Sequence, residues 1–143
     1  MRSRFAIVGL SAVLSLSEMA KAEQPDPPKA RLPVEMAEDF LKGIQGGQID
    51  AAFGALLAGS PLLEQGSSIE MLKSQTKAQL PLFGSVLGYE KLEVKETAAS
   101  LFVLRYLVRQ EKEAMTWAFV FYKPRDRWMV TALRWLPSME YLR

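Results

Sequence analysis

The chain contains no histidine and no cysteine. A Ser-His nucleophile, histidine acid–base catalysis and His-ligated zinc are therefore excluded. Thiol chemistry and thiolate metal sites are excluded with them. Gly43, Gly46 and Gly47 follow a helical pattern instead of opening one, so they lack the spacing of a phosphate-binding loop. What remains for acid–base work is a carboxylate with a tyrosine. Asp39 or Glu38 on one helix and Tyr106 on one strand are the candidates. Asp39 precedes the apolar Phe40 by one position, so a solvated helix face accounts for it better than catalysis does. No residue is assigned a catalytic role, and no metal or cofactor is implied.

Two further sets carry potential for recognition. Tyr106, Trp117 and Trp135 fall on one face of the expected sheet. Core packing is the first reading, since each such ring buries ~150–250 Å². The second reading is a pocket wall, with the Tyr hydroxyl and Trp N–H orienting a small apolar ligand. Met36, Phe40, Phe53, Met71 and Phe83 would close that pocket from the helix side, with Asp39 at its rim. Arg105, Arg109 and Arg134, with Val103, Val120 and Tyr122, fall on the opposite face. Solvated charge, or neutralisation by Glu on a neighbouring strand, explains the arginines simply; recognition of an acidic partner is the alternative.

Hydrophobic periodicity supplies the elements that hold these residues. In "VEMAEDFLKGIQGG", Met36, Ala37, Phe40, Leu41 and Ile44 recur at helical spacing. Pro33 suits the first turn of that helix, and Gly46-Gly47 ends it. Ile49, Ala52, Phe53, Leu56 and Leu57 mark a second, short helix before Gly59-Ser60-Pro61. Ser67 with Glu70 reads as a capping box opening a third. Its stripe is Ile69, Leu72, Thr76 and Leu80, with Met71 beside it, and Pro81 and Gly84 end it.

From Tyr89 the period changes to two. "YEKLEVKE" alternates Leu92 and Val94 with charged residues, which predicts one wet face. "LFVLRYLVRQ", "AMTWAFVFYK" and "RWMVTALRWL" are three more strands. Tight turns lie at Gln110–Glu113 and Lys123–Arg127. If Glu111-Lys112 is a hairpin tip, Val108 faces Met115, Tyr106 faces Trp117, Leu104 faces Phe119 and Phe102 faces Phe121. That face should meet the helices. The other carries Leu101, Val103, Arg105, Leu107 and Arg109 against Ala114, Thr116, Ala118, Val120 and Tyr122. For the last strand the expectation is Met129, Thr131, Leu133 and Trp135 inward, with Trp128, Val130, Ala132 and Arg134 outward. The plan is α+β: N-terminal helices on a curved antiparallel sheet of about four strands. The outer apolar patch predicts a homodimer; a monomer shielded by long Arg and Lys stems is the alternative.

The first 22 residues read differently. Arg2 and Arg4 precede an apolar run, Phe5–Leu16, and Ala20-Lys21-Ala22 follows. These are the three parts of a secretory signal peptide, with cleavage expected after Ala22. The run is shorter than the ~20 residues that span a bilayer. Export, most simply to a periplasm, is the expected localisation. Residues 23–32, rich in proline, form a tether, and 33–143 one domain. Removing residues 1–22 takes Lys plus Arg from 18 to 15 and Asp plus Glu from 16 to 15. The mature chain is formally neutral, which argues against a nucleic-acid partner.

Taken together, the helix at Pro33–Gly47, "GGQIDAAFGALLAGSPL", "FGSVLGYEKLEV" and "LRYLVRQEKEAMTWAFVFYKPRDRWMV" resemble the nuclear transport factor 2-like (cystatin-like) superfamily. Within it the chain is most similar to small exported bacterial proteins. The resemblance implies a cone, with a bent sheet around the first helix and a cavity at the wide end. It also implies dimerisation through the outer sheet face. Isomerases in that superfamily use an Asp base and a Tyr donor, but no residue here matches that set. The leading expectation is a non-enzymatic exported domain that binds a small apolar ligand or a protein partner. A carboxylate–tyrosine isomerase or hydrolase, and a structural envelope protein, are the alternatives.

Overall fold

Pro33 begins the first helix, α1 (Pro33–Gln45), where an amide would have no intrahelical acceptor. The Glu35 carboxylate accepts from the Leu32 N–H at 3.4 Å across that first turn. The computed structural model describes residues 31–138. The expected signal peptide, the tether up to residue 30 and the last five residues lie outside the described residues. α1 buries Ala37, Phe40, Leu41 and Ile44 on one stripe. At its end the Gly46 and Gly47 N–H groups return to Lys42 and Ile44 carbonyls, and Gly47 adopts φ +77°. The second helix, α2 (Ile49–Leu57), crosses α1 closely at Gly43. A Cβ on Gly43 would lie 2.8 Å from Ala52 Cβ, so glycine sets the closeness of that crossing.

A single 3₁₀ turn, Pro61–Glu64, follows; the sequence patterning gave no sign of it. Ser60 caps it, its Oγ accepting from the Leu62 N–H at 3.0 Å and donating to the Val130 carbonyl at 2.5 Å. The third helix, α3, runs Gly66–Leu82. The expected Ser67–Glu70 capping box does not form. The N-cap is Gln65, two residues earlier, so Ser67 lies inside the first turn, and Glu70 pairs with Lys73 at 3.1 Å instead. α3 continues one residue past Pro81, and Gly84, at φ +85°, redirects the chain. Ile69, Thr76 and Leu80 are buried and Leu72 half-buried as the stripe requires, but Met71 is 63% exposed.

Four strands complete the chain: β1 (Val86–Ala98), β2 (Leu101–Gln110), β3 (Ala114–Tyr122) and β4 (Met129–Pro137). They form one antiparallel sheet in the order β1-β2-β3-β4, with the helices packed on one face of its curve. The fold is α+β. The β2–β3 register is the one set by a Glu111-Lys112 tip: Tyr106 opposite Trp117, Leu104 opposite Phe119, Phe102 opposite Phe121. Every one of these except Phe102, which is half-buried, is fully closed to solvent. Phe40 of α1 drives into them, its ring centroid 5.1 Å from Trp117 and 5.8 Å from Phe119, edge-on to both.

Two strands depart from simple alternation. In β4 a bulge between the pairs Val120–Ala132 and Phe121–Val130 leaves Thr131 as an extra residue. Leu133 and Trp135 keep their expected inward side, but Val130 turns in and is fully buried, while Met129 lies opposite Tyr122. Trp128 follows Val130 inward, its ring 5.2 Å from Phe102. One extra residue exchanges the faces of everything on one side of it. β1 carries three such irregularities, one at Leu92. Leu92 and Val94 are 51% and 47% exposed, so the expected buried face of this strand does not form there.

Candidate functional site

The inward candidates make the centre of the core. Phe40 meets Phe53 edge-on at 5.1 Å, and Trp117 lies 6.4 Å from Trp135. Tyr106 and Trp117 have no solvent-accessible surface, either to the outside or to an internal void of water size. The Trp117 indole N–H has no hydrogen-bond partner among the described residues. Trp135 is half-buried and donates its N–H to Thr76 Oγ1 at 3.1 Å. Thr76 in turn donates to the Leu72 carbonyl at 2.7 Å. Met36 is half-buried and borders, with Asp39 and Phe40, a niche of about 40 Å³. Of the residues expected to close a cavity from the helix side, Met71 points away and Phe83 packs against the core.

Of the two carboxylates, Glu38 is the one that reaches the tyrosine. The Tyr106 hydroxyl donates to Glu38 Oε2 at 3.1 Å, and Lys91 Nζ stands 3.7 Å from the same oxygen. Burial, then the carboxylate, pushes the Tyr106 phenol well above its ordinary pKa. A phenol held that strongly in its neutral form ties α1 to β2. Tyr89 packs edge-on to it at 5.9 Å. Asp39 is exposed and pairs with Arg31. Sequence spacing offered both acids; α1's rotation about its buried stripe decides between them.

The outward face is built in cross-strand rows. Leu101, Tyr122 and Met129 make the first; Val103, Val120 and Ala132 the second. Arg105, Ala118 and Arg134 make the third, and Leu107, Thr116 and Leu136 the fourth. Arg105 lies 3.7 Å from Glu93 on β1. Val103, Leu107 and Val120 keep part of their surface open, and Tyr122 is 39% exposed. β3 contributes Ala114, Thr116, Ala118 and Val120 in the middle of this face, and of these Thr116 is buried.

A third feature was not singled out by sequence patterning. A groove of about 480 Å³ lies where the ends of α1 and α3 meet the β2–β3 tip, lined by Ile44, Ile49, Leu80, Val86 and Lys112 among others. Its walls are tied together. Glu111 accepts from the Ser85 N–H at 3.0 Å, which holds the Glu111 carboxyl below its usual range. The Lys112 N–H reaches the Phe83 carbonyl at 2.9 Å. Buried Gln110 donates to the Leu80 and Gly84 carbonyls at 2.9 and 2.8 Å, leaving its Oε1 without a partner among the described residues. Among the described residues no His, Cys, Asp and Glu cluster fit for a metal occurs, and no helix is long and apolar enough to cross a membrane.

Comparison with known proteins finds no matching family model, no matching curated protein and no matching solved structure.

Proposed function

We propose that this chain is an exported, non-enzymatic domain that works by binding a protein partner through its outward sheet face, that partner being a second copy of the chain. The carrying observation is the row structure of that face. Two apolar rows, and a third in which Leu107 and Leu136 flank buried Thr116, surround one arginine row. A contiguous apolar surface of this kind on one side of a sheet is characteristic of an interaction site. The charges are self-complementary. A two-fold axis parallel to the strands lays β1 of one copy over β4 of the other, so that Glu90 and Glu93 approach Arg134.

The closed state of Tyr106 and Trp117 favours this reading over a ligand or a reaction in the cone. A tyrosine whose hydroxyl is already held by a carboxylate is also a poor proton donor to substrate. A second reading, a small apolar molecule in the groove beside α3, is favoured by that groove's size and by the unpaired Gln110 oxygen behind it. The likeness to the nuclear transport factor 2-like superfamily belongs to the proposal, and supports it through the order of elements and the use of the outer face. Val120→Glu puts a charge in the centre of the face. Light scattering should report a dimer for the parent chain and a monomer for the variant, with unchanged circular dichroism. A parent chain that is monomeric overturns the reading. The intact mass of the protein recovered from a periplasmic extract tests export: it should begin at Glu23, and an uncleaved chain refutes this.

A further inference from the structure

We infer that the β3–β4 turn carries a separate binding site for a small organic anion, a carboxylate or phosphate group attached to a single apolar ring. The turn "KPRDRW" places three cations and one acid within five residues, followed by Trp128, in a mature chain with no net charge. Arg125, Asp126, Arg127, Trp128 and Met129 line a pocket of about 210 Å³ against Ala58 and Gly59. That is below the ~300–1,000 Å³ of sites for larger ligands, and suits one ring with its acid group.

No carboxylate of the described residues pairs with Arg125 or Arg127. Two arginines lining one pocket, with Asp126 the one acid between them, offer the planar, bidentate donors that oxyanions take. Lys123 Nζ lies 5.0 Å from the Trp128 ring centroid and adds positive potential near the turn. Asp126 offsets part of this positive charge.

The walls are fixed before any ligand arrives. The Lys123 N–H is held by the Ser100 carbonyl at 2.9 Å, and Pro124 restricts the turn. Phe102 braces Trp128 edge-on at 5.2 Å. On the opposite wall, Ser60 ties the segment after Gly59 to Val130, and Gly59, at φ +77°, has no side chain to fill the space. A backbone anchored in this way loses less entropy on binding than a mobile loop would.

The test is a titration of the mature, ¹⁵N-labelled chain with benzoate and with phenyl phosphate, using inorganic phosphate as the ring-free comparison. The backbone amides of Gly59 and residues 125–128 and the Trp128 indole should shift saturably, with a dissociation constant of about 1 mM. Arg125→Gln and Arg127→Gln, both at exposed positions, should each weaken binding about tenfold. Inorganic phosphate should bind more weakly than phenyl phosphate. The proposal is overturned if the ring-bearing probes give no saturable shift, if shifts spread over basic residues throughout the surface, or if both arginine variants bind as the parent does. Binding to vesicles of anionic phospholipid with no response to the small probes also overturns it, in favour of a membrane-facing turn.

Discussion

Tyr106→Phe isolates one atom that joins the helical layer to the sheet. The variant keeps the buried ring and its edge contacts with Tyr89 at 5.9 Å and Phe119 at 6.2 Å. It removes only the hydroxyl that donates to Glu38 at 3.1 Å. A hydrogen bond to a charged acceptor contributes ~1.5–3 kcal/mol. The Glu38 side chain retains 29% of its exposure and keeps Lys91 nearby, so water can partly replace the lost donor. The expected loss at pH 7 is therefore about 1–2 kcal/mol, toward the lower end of that range. The pH dependence tests the burial of the hydroxyl, the larger cause of its raised pKa, beside the Glu38 contact. In the folded chain the phenol pKa is raised, so the native state binds this proton more tightly than the unfolded chain does. The stabilisation is fully present below pH ~10 and is lost as pH rises toward the folded-state value. Parent and variant should then converge by up to about 1.4 kcal/mol per pH unit above pH 10. Urea unfolding followed by tryptophan fluorescence at pH 7, 10 and 11 measures both effects. A loss below about 0.3 kcal/mol at pH 7, together with parallel alkaline behaviour, would refute the coupling of Tyr106 to Glu38.

Trp117→Ala empties the centre of the aromatic core and should lower stability by about 3–5 kcal/mol in the same assay; a loss under about 1 kcal/mol would mean the ring is not packed as described. Gly84→Ala should destabilise by at least about 1 kcal/mol, because alanine is strained at φ +85° and its Cβ would sit 2.8 Å from Glu111 Cβ. An unchanged midpoint for Gly84→Ala would show that the α3–β1 connection is not pinned to the hairpin tip.

Much of this architecture was legible because each element has a strong period and a chemical stop. Met36 through Ile44 define one helical stripe, and Pro33 and Gly46-Gly47 bound it. The hairpin tip at Glu111-Lys112 fixed nine cross-strand pairs at once, since a single register satisfies the apolar alternation on both strands. The failures share a cause. A bulge adds one residue without any residue type to announce it, so Val130 and Trp128 were assigned to the wrong side of β4. The same holds for Leu92 on β1. Ser67 and Glu70 have the right spacing for a cap, but packing of Ile69 and Leu80 sets where α3 begins. At the candidate site, periodicity separated inner from outer residues correctly across β2 and β3. It could not choose Glu38 over Asp39, because neighbouring helix positions differ by 100° and only tertiary packing says which one meets the sheet. Nor could it show the groove beside α3, which is assembled from the ends of elements distant in sequence.

The account rests most on the outward face being a surface that another copy covers. Sedimentation equilibrium of the mature chain over a wide concentration range measures this directly. Twice the chain mass, with dissociation promoted by Val120→Glu and by high salt acting on the Glu93 and Arg134 rows, is the predicted result. A single chain mass at every concentration would contradict it.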